Sequence, residues 1–218
     1  MDTNNNIKRH KIISFYLDNL NNEVVEYQKK VFDFLNIPLE QIKFSGTHGS
    51  AIKKYLDDND DWDIITIFDV DCIPLSLKPF DEIKKHVDNE TIYGNAQISN
   101  STPYCAPSFI SFTKSLYQNS LHKSFEGQFY SNEEGISAEA DCGEVFTKEN
   151  LKQGKKIVLS YPVKVIDKKW SYYGNETYPS FDYGNGTTFD NDTFHYFQIR
   201  FNENQQSFIN FIKIFLND

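Results

Sequence analysis

Asp-x-Asp occurs four times in this 218-residue chain, at Asp58/Asp60, Asp61/Asp63, Asp69/Asp71 and Asp190/Asp192. The spacing alone carries no chemistry, since acidic pairs are common on solvated turns. Context separates the four. Only Asp69 and Asp71 end a strongly apolar run, DIITIFDVD (63–71), followed by Cys72, Ile73 and Pro74; the other three sit in polar stretches that read as loops. In open α/β sheets, ligands bind beyond the carboxyl ends of strands. Two acids there, with no lysine or arginine beside them, call for a counter-charge. At an effective dielectric of about 20, two unit charges about 5 Å apart interact by roughly 3 kcal/mol. A divalent cation held by hard oxygen ligands reverses the sign of that interaction.

The elements that must position this pair follow from pattern. KIISFYLD (11–18) reads as a buried strand, and Asn21 or Asn22 caps a helix that carries Val24, Val31 and Phe32 to its stop at Pro38. A short strand at 42–46 and a helix at 47–56 precede the DxD strand. Beyond it the pattern predicts a helix at 80–89, strands at 91–98 and 107–113, a helix at 114–122 and a loop at 123–138. A helix at 141–154, one or two strands at 155–166, an irregular segment at 167–193, a strand at 194–200 and an amphipathic helix at 203–216 complete it. Alternation of strand and helix over the first 90 or so residues argues for a parallel, Rossmann-like half. The expected fold class is α/β, a single domain over 1–218 with a mixed central sheet flanked by helices and a flexible arm at 1–10.

Composition narrows the partners. The net charge of −9 leaves no basic face for a nucleic acid. The three cysteines are far apart, which fits reduced thiols better than a zinc site or a disulfide scaffold. The polar N-terminus resembles no signal peptide, and no apolar run suffices for a membrane span. A cytoplasmic location is expected, and the Asn-x-Ser/Thr sequons follow from Asn-rich composition. The 19 Phe and 13 Tyr read first as an aromatic core, and second as Tyr and Trp lining a sugar or base site. Trp170, Tyr172, Tyr173, Tyr178 and Tyr183, in the irregular segment, suit a site that stacks sugar rings or a lid, as well as plain loop packing.

The stretch WDIITIFDVDCIPL (62–75) resembles the DxD region of nucleotide-sugar-dependent glycosyltransferases of GT-A fold, most of all small virus- or bacterium-encoded ones. The segments 13–18, 47–52, 107–117, 140–147 and 193–200 match further pieces of such enzymes in the same order. The resemblance implies a hexosyltransferase-type enzyme moving a sugar from a nucleotide-diphosphate sugar, a UDP-sugar in the first instance, to a glycan or other hydroxyl acceptor. It implies that Asp69, Asp71 and a late histidine, His195, hold Mn²⁺ or Mg²⁺, and that Tyr16, His48, Gly49, Asp69 and Asp71 bind the nucleotide-sugar. Asp141 resembles the position of the catalytic base or of an acceptor-binding acid.

Each residue has a plainer role available. His195 can be a packed histidine, Tyr16 a core aromatic, and His48–Gly49 a capped turn at a helix N-terminus. Asp141, near Glu139 and Glu144, can be an N-cap. Arg200 can pair with the acids or with phosphate. Two other functions remain open: a HAD-type phosphatase with Asp69 as nucleophile, and a non-catalytic sugar-nucleotide binder.

Overall fold

The computed structural model describes residues 9–98, 102–127, 129–131 and 137–218. Of the expected arm, residues 1–8 lie outside these, and His10 already opens the first strand. The chain runs β1 (His10–Leu17), α1 (Asn22–Phe34), β2 (Glu40–Phe44), α2 (His48–Asp58) and β3 (Ile64–Asp69). β1 pairs with β2 on one side and β3 on the other, all parallel. Local chemistry sets the joints. Asn21 caps α1 by accepting the Glu23 N–H at 3.0 Å, and Thr47 caps α2 through the Ser50 N–H. Asn36, at φ 56°, ends the first helix ahead of Pro38.

After Asp69 the chain turns, and β4 (Cys72–Pro74) joins a different sheet. The strand expected over 63–71 therefore ends at Asp69, and Asp71 lies in the turn before β4. Next come α3 (Lys78–His86), β5 (Thr91–Gln97), β6 (Tyr104–Thr113), α4 (Lys114–Asn119), β7 (Phe129–Ser131), β8 (Ser137–Glu139) and α5 (Glu144–Lys152). They are followed by β9 (Lys156–Ser160), β10 (Pro162–Val165), β11 (Lys169–Tyr172), β12 (Phe181–Gly184), β13 (Gly186–Phe189), β14 (Thr193–Tyr196) and α6 (Asn202–Leu216).

The central sheet has the order β2-β1-β3-β6-β5-β9. It is mixed, because β6 runs antiparallel to both β3 and β5. A second, antiparallel sheet has the order β10-β13-β14-β4. The fold is thus mixed α/β, with a mixed central sheet and six helices among the described residues, none long and apolar enough to cross a membrane.

β3 reads IITIF because both faces are covered. Ile65 and Ile67 pack with Ile52 and Leu56 of α2, Leu116 of α4 and Phe146 of α5. Ile64 and Phe68 pack on the opposite face with Phe32 of α1 and with Phe80 and Ile83 of α3. Each such side chain contributes about 1.5–3 kcal/mol on burial. Helix α6 closes a third cluster, in which Phe208, Ile209 and Ile212 meet Val24 and Val31 of α1, Ile73 of β4 and Phe194 of β14.

Three expectations change. The segment 167–193 is not irregular: it holds β11, β12 and β13, each of four residues, too short for a period-2 signal to stand out. Asp190 and Asn191, at φ 48° and 57°, make the tight turn into β14. The strand expected to reach residue 200 stops at Tyr196, with Gln198 at φ 62° breaking it. The loop expected over 123–138 contains the paired strands β7 and β8, while residues 128 and 132–136 lie outside the described ones.

The turn between β3 and β4 is clamped from α1. Gln28 is fully buried, and its Nε2 donates to the carbonyl of Asp69 at 2.7 Å and to that of Cys72 at 2.9 Å. Gln41 Nε2 in turn donates to Gln28 Oε1 at 3.0 Å. A Gln28→Leu substitution keeps the volume and strips both carbonyls of their donor. It should cost about 1–3 kcal/mol in urea unfolding; an unchanged midpoint would show that the clamp carries no weight.

Candidate metal site

Asp69 closes β3, and Asp71 lies one residue before β4. Pairing of β14 with β4 sets His195 opposite Cys72, and the Tyr196 N–H donates to the Asp71 carbonyl at 2.9 Å. This brings the His195 Nε2 to 3.2 Å from Asp71 Oδ1, with both side chains nearly excluded from water. One ligand atom from each of Asp69, Asp71 and His195 lies within 4.8 Å of the others.

The electrostatics are those of a site short of positive charge. Burial pushes the Asp69 carboxyl above its ordinary value; His48 and His195 oppose this, and the charges of Asp71 and Asp141 add to it. Burial by itself lowers the His195 imidazole, but Asp71, together with Asp69 and Asp141, more than reverses this, so it rises above its ordinary 6.5. Asp69 Oδ1 is buried with no hydrogen-bond donor, as is His195 Nδ1 with no partner. His48 Nε2 lies 3.3 Å from Asp69 Oδ1, within ion-pair reach, without the geometry of a hydrogen bond. Two carboxylates and an imidazole with such orphaned atoms fit a divalent cation that accepts oxygen and nitrogen ligands.

Two cavities share this wall. One of about 250 Å³ is lined by Phe15, Tyr16, Phe44 and His48 as well as the two acids. His48 stacks on Phe44, with centroids 5.7 Å apart and planes at 20°. The other, about 410 Å³, is lined by Gln97, Asp141, Cys142, His195 and Phe197 beside the same acids. Arg200 lines both, and neither lining contains a lysine.

The residues singled out from sequence separate here. Tyr16, His48, Asp69, Asp71, Asp141, His195 and Arg200 all reach one or both cavities. Gly49 does not. It is buried where α2 touches the chain at Phe125–Glu126, and a Cβ would sit 2.5 Å from backbone atoms of both. Its need for glycine is thus close backbone approach, not ligand contact.

Asp141 is not the helix cap. Gly143, at φ 78°, holds that position in α5. Instead Asp141 Oδ2 accepts from Gln97 Nε2 and from the Tyr104 hydroxyl, each at 2.8 Å, and Oδ1 accepts the Cys142 N–H at 2.8 Å. Glu144, buried and ion-paired with Lys148, accepts the Asp141 N–H at 2.9 Å. Sequence reading missed Gln28, Phe44, Gln97 and Tyr104. Each is a single residue on an apolar or amphipathic element, and nothing in its spacing distinguishes it.

Cys142 Sγ lies 4.0 Å from His48 Nδ1, which superficially suggests a Cys-His-Asp triad with Asp69. Burial, with Asp69, Asp141 and Glu126 nearby, pushes the thiol well above its ordinary value. A nucleophilic cysteine needs the opposite environment.

No protein-family model matches the chain, and no curated protein sequence does. Among solved structures, the crystal structure of A197 from STIV aligns with a TM-score of 0.44 and 9% identity over 86% of this chain and 93% of that one. That likeness is too low to argue from.

Without a bound cation, Asp69 and His195 bind protons more tightly folded than unfolded. Stability from His195 is complete below 6.5 and lost as pH rises through its raised value. A cation requires both groups deprotonated, so its effect runs the other way. In EDTA, the advantage in thermal midpoint of the wild type over His195→Asn should shrink as pH climbs above neutrality, while the rise induced by Mn²⁺ in the wild type grows. An advantage that widens with pH, or a Mn²⁺ effect flat across it, would reject this coupling.

Proposed function

We propose that the chain is a metal-dependent glycosyltransferase of GT-A type that takes a nucleotide-diphosphate sugar as donor. The observation that carries this reading is the convergence of Asp69, Asp71 and His195 between two cavities of different chemistry. The parallel β2-β1-β3 half, the antiparallel β6 and the small second sheet are compatible with a GT-A arrangement.

In this reading the smaller cavity holds the nucleoside, with Tyr16 and Phe44 beside the base and ribose. Asp69, Asp71 and His195 hold Mg²⁺ or Mn²⁺. When bound, the cation neutralises the negative charge that collects on the diphosphate as the nucleotide leaves. His48 and Arg200 bind the phosphate oxygens. In the larger cavity Asp141, fixed by Gln97, Tyr104 and the Cys142 N–H, orients the acceptor hydroxyl and takes its proton. The phosphatase reading lacks support at one point: it needs a lysine near the phosphate, and neither cavity lining has one.

A thermal-shift panel of UDP- and GDP-sugars, with and without Mn²⁺, tests the donor. At a ligand concentration of about 100 Kd the stabilisation is about 2.7 kcal/mol, which for a chain of this size is roughly 5–10 °C. It should need Mn²⁺ and vanish in Asp69→Asn and Asp71→Asn. No response to any nucleotide-sugar would reject the reading, and metal-dependent cleavage of a generic aryl phosphate would favour the phosphatase.

Asp141→Asn should leave donor binding intact and lower kcat by about 10²–10⁴-fold. Because Asp141 also accepts from the buried Tyr104 hydroxyl, its replacement should cost about 1–3 kcal/mol of stability as well. Retained turnover would remove Asp141 from the chemistry.

A further inference from the structure

A line of aromatic rings leaves the candidate metal site and ends at the surface. The centroids of His195 and Phe197 are 4.0 Å apart, those of Phe197 and Tyr183 5.8 Å, and those of Tyr183 and Trp170 5.7 Å. Phe197 lines the larger cavity together with Gln97 and Asp141. The Tyr183 hydroxyl donates to the Ile98 carbonyl at 3.3 Å, so the ladder is tied to the residue next to the Gln97 that holds Asp141. Trp170 stands directly opposite Tyr183 in the β11–β12 pair. It is 38% exposed, whereas the chain's other tryptophan, Trp62, is wholly buried. An indole left partly in water forgoes much of the burial that makes tryptophan stabilising in a core. Here it also extends a row of rings that begins inside a cavity.

We propose that Phe197, Tyr183 and Trp170 form the acceptor subsite and that its occupant is a neutral glycan. The word acceptor rests on the transferase reading above; the choice of ligand does not. Sugar rings present an apolar C–H face bordered by hydroxyls. They need an aromatic plate with hydrogen-bonding groups at its edge, which Asp141 and Gln97 supply. A lipid tail following the same rings would run into the Asp141 carboxylate, a desolvation cost with no return. An anionic acceptor meets Asp69, Asp71 and Asp141 at the inner end. At the outer end the hairpin's lysines are already paired, Lys169 with Asp182 at 2.7 Å and Lys168 with Glu203 at 3.6 Å. Arg200, the one arginine on that cavity, also lines the smaller one.

Ligand-observed NMR on the full chain tests this with cellotetraose, chitotetraose, maltotetraose and mannotetraose, and with tetragalacturonate as the anionic counterpart. The panel is run without metal or nucleotide, and again with Mn²⁺ and UDP. At least one neutral tetrasaccharide should receive saturation from the protein, and Trp170→Ala should weaken it by about tenfold, with Trp170→Phe losing less. The buried Trp62 supplies an internal check, since its emission reports whether the variant is folded. Silence from every neutral tetrasaccharide in both conditions, preference for tetragalacturonate, or wild-type affinity in folded Trp170→Ala would each overturn the proposal. If the wild type binds no nucleotide-sugar yet binds a glycan through Trp170, the donor reading fails and the subsite stands.

Discussion

A carboxylate and an imidazole, Asp71 and His195, are taken out of water beside the partly buried Asp69 where β3 leaves the central sheet, and the rest of the site answers to that burial. Asp71 and His195 stabilise each other, and the cost of desolvating Asp69 is only partly offset by His48. Buried charge without a full complement of partners is expensive. Such an arrangement at the mouth of a sheet, with the Asp69 Oδ1 and His195 Nδ1 atoms unpartnered, could hold a cation.

The scaffold around those groups is correspondingly rigid. β3 is locked by cores on both faces, so its last residue cannot drift. The turn that follows is pinned from one side by Gln28 and from the other by the Tyr196 N–H. That turn also hands the chain from the central sheet to the second one, which is how His195, more than 120 residues downstream of Asp71, arrives beside it. Position is therefore set by backbone pairing, and ligand geometry follows from it.

The aromatic composition divides along the same line. Phenylalanines such as Phe32, Phe68, Phe112, Phe125 and Phe146 are buried and make the interior. Tyr16, Tyr183 and Trp170, which carry a polar atom on an apolar body, stand at the cavities and on the hairpin beside them. Tyr104 is the exception that explains itself: it is wholly buried, with its hydroxyl spent on Asp141.

The order of strands and helices through β3, the apolar run that buries it and the acids at its end were all legible in the linear chain, because periodicity and an apolar-to-acidic boundary are local signals. So were His195 and Asp141 as residues of interest, on resemblance. What no local pattern contains is which polar groups meet. Gln97 and Tyr104 converge on Asp141 from separate strands, Phe44 carries His48 from the adjacent segment, and the passage of the chain after Asp69 from the central sheet to the second one depends on β14 arriving as a partner for β4. The short strands of 167–193 were invisible for the same reason. Four-residue strands owe their existence to cross-strand pairs, and pairing partners are chosen in three dimensions.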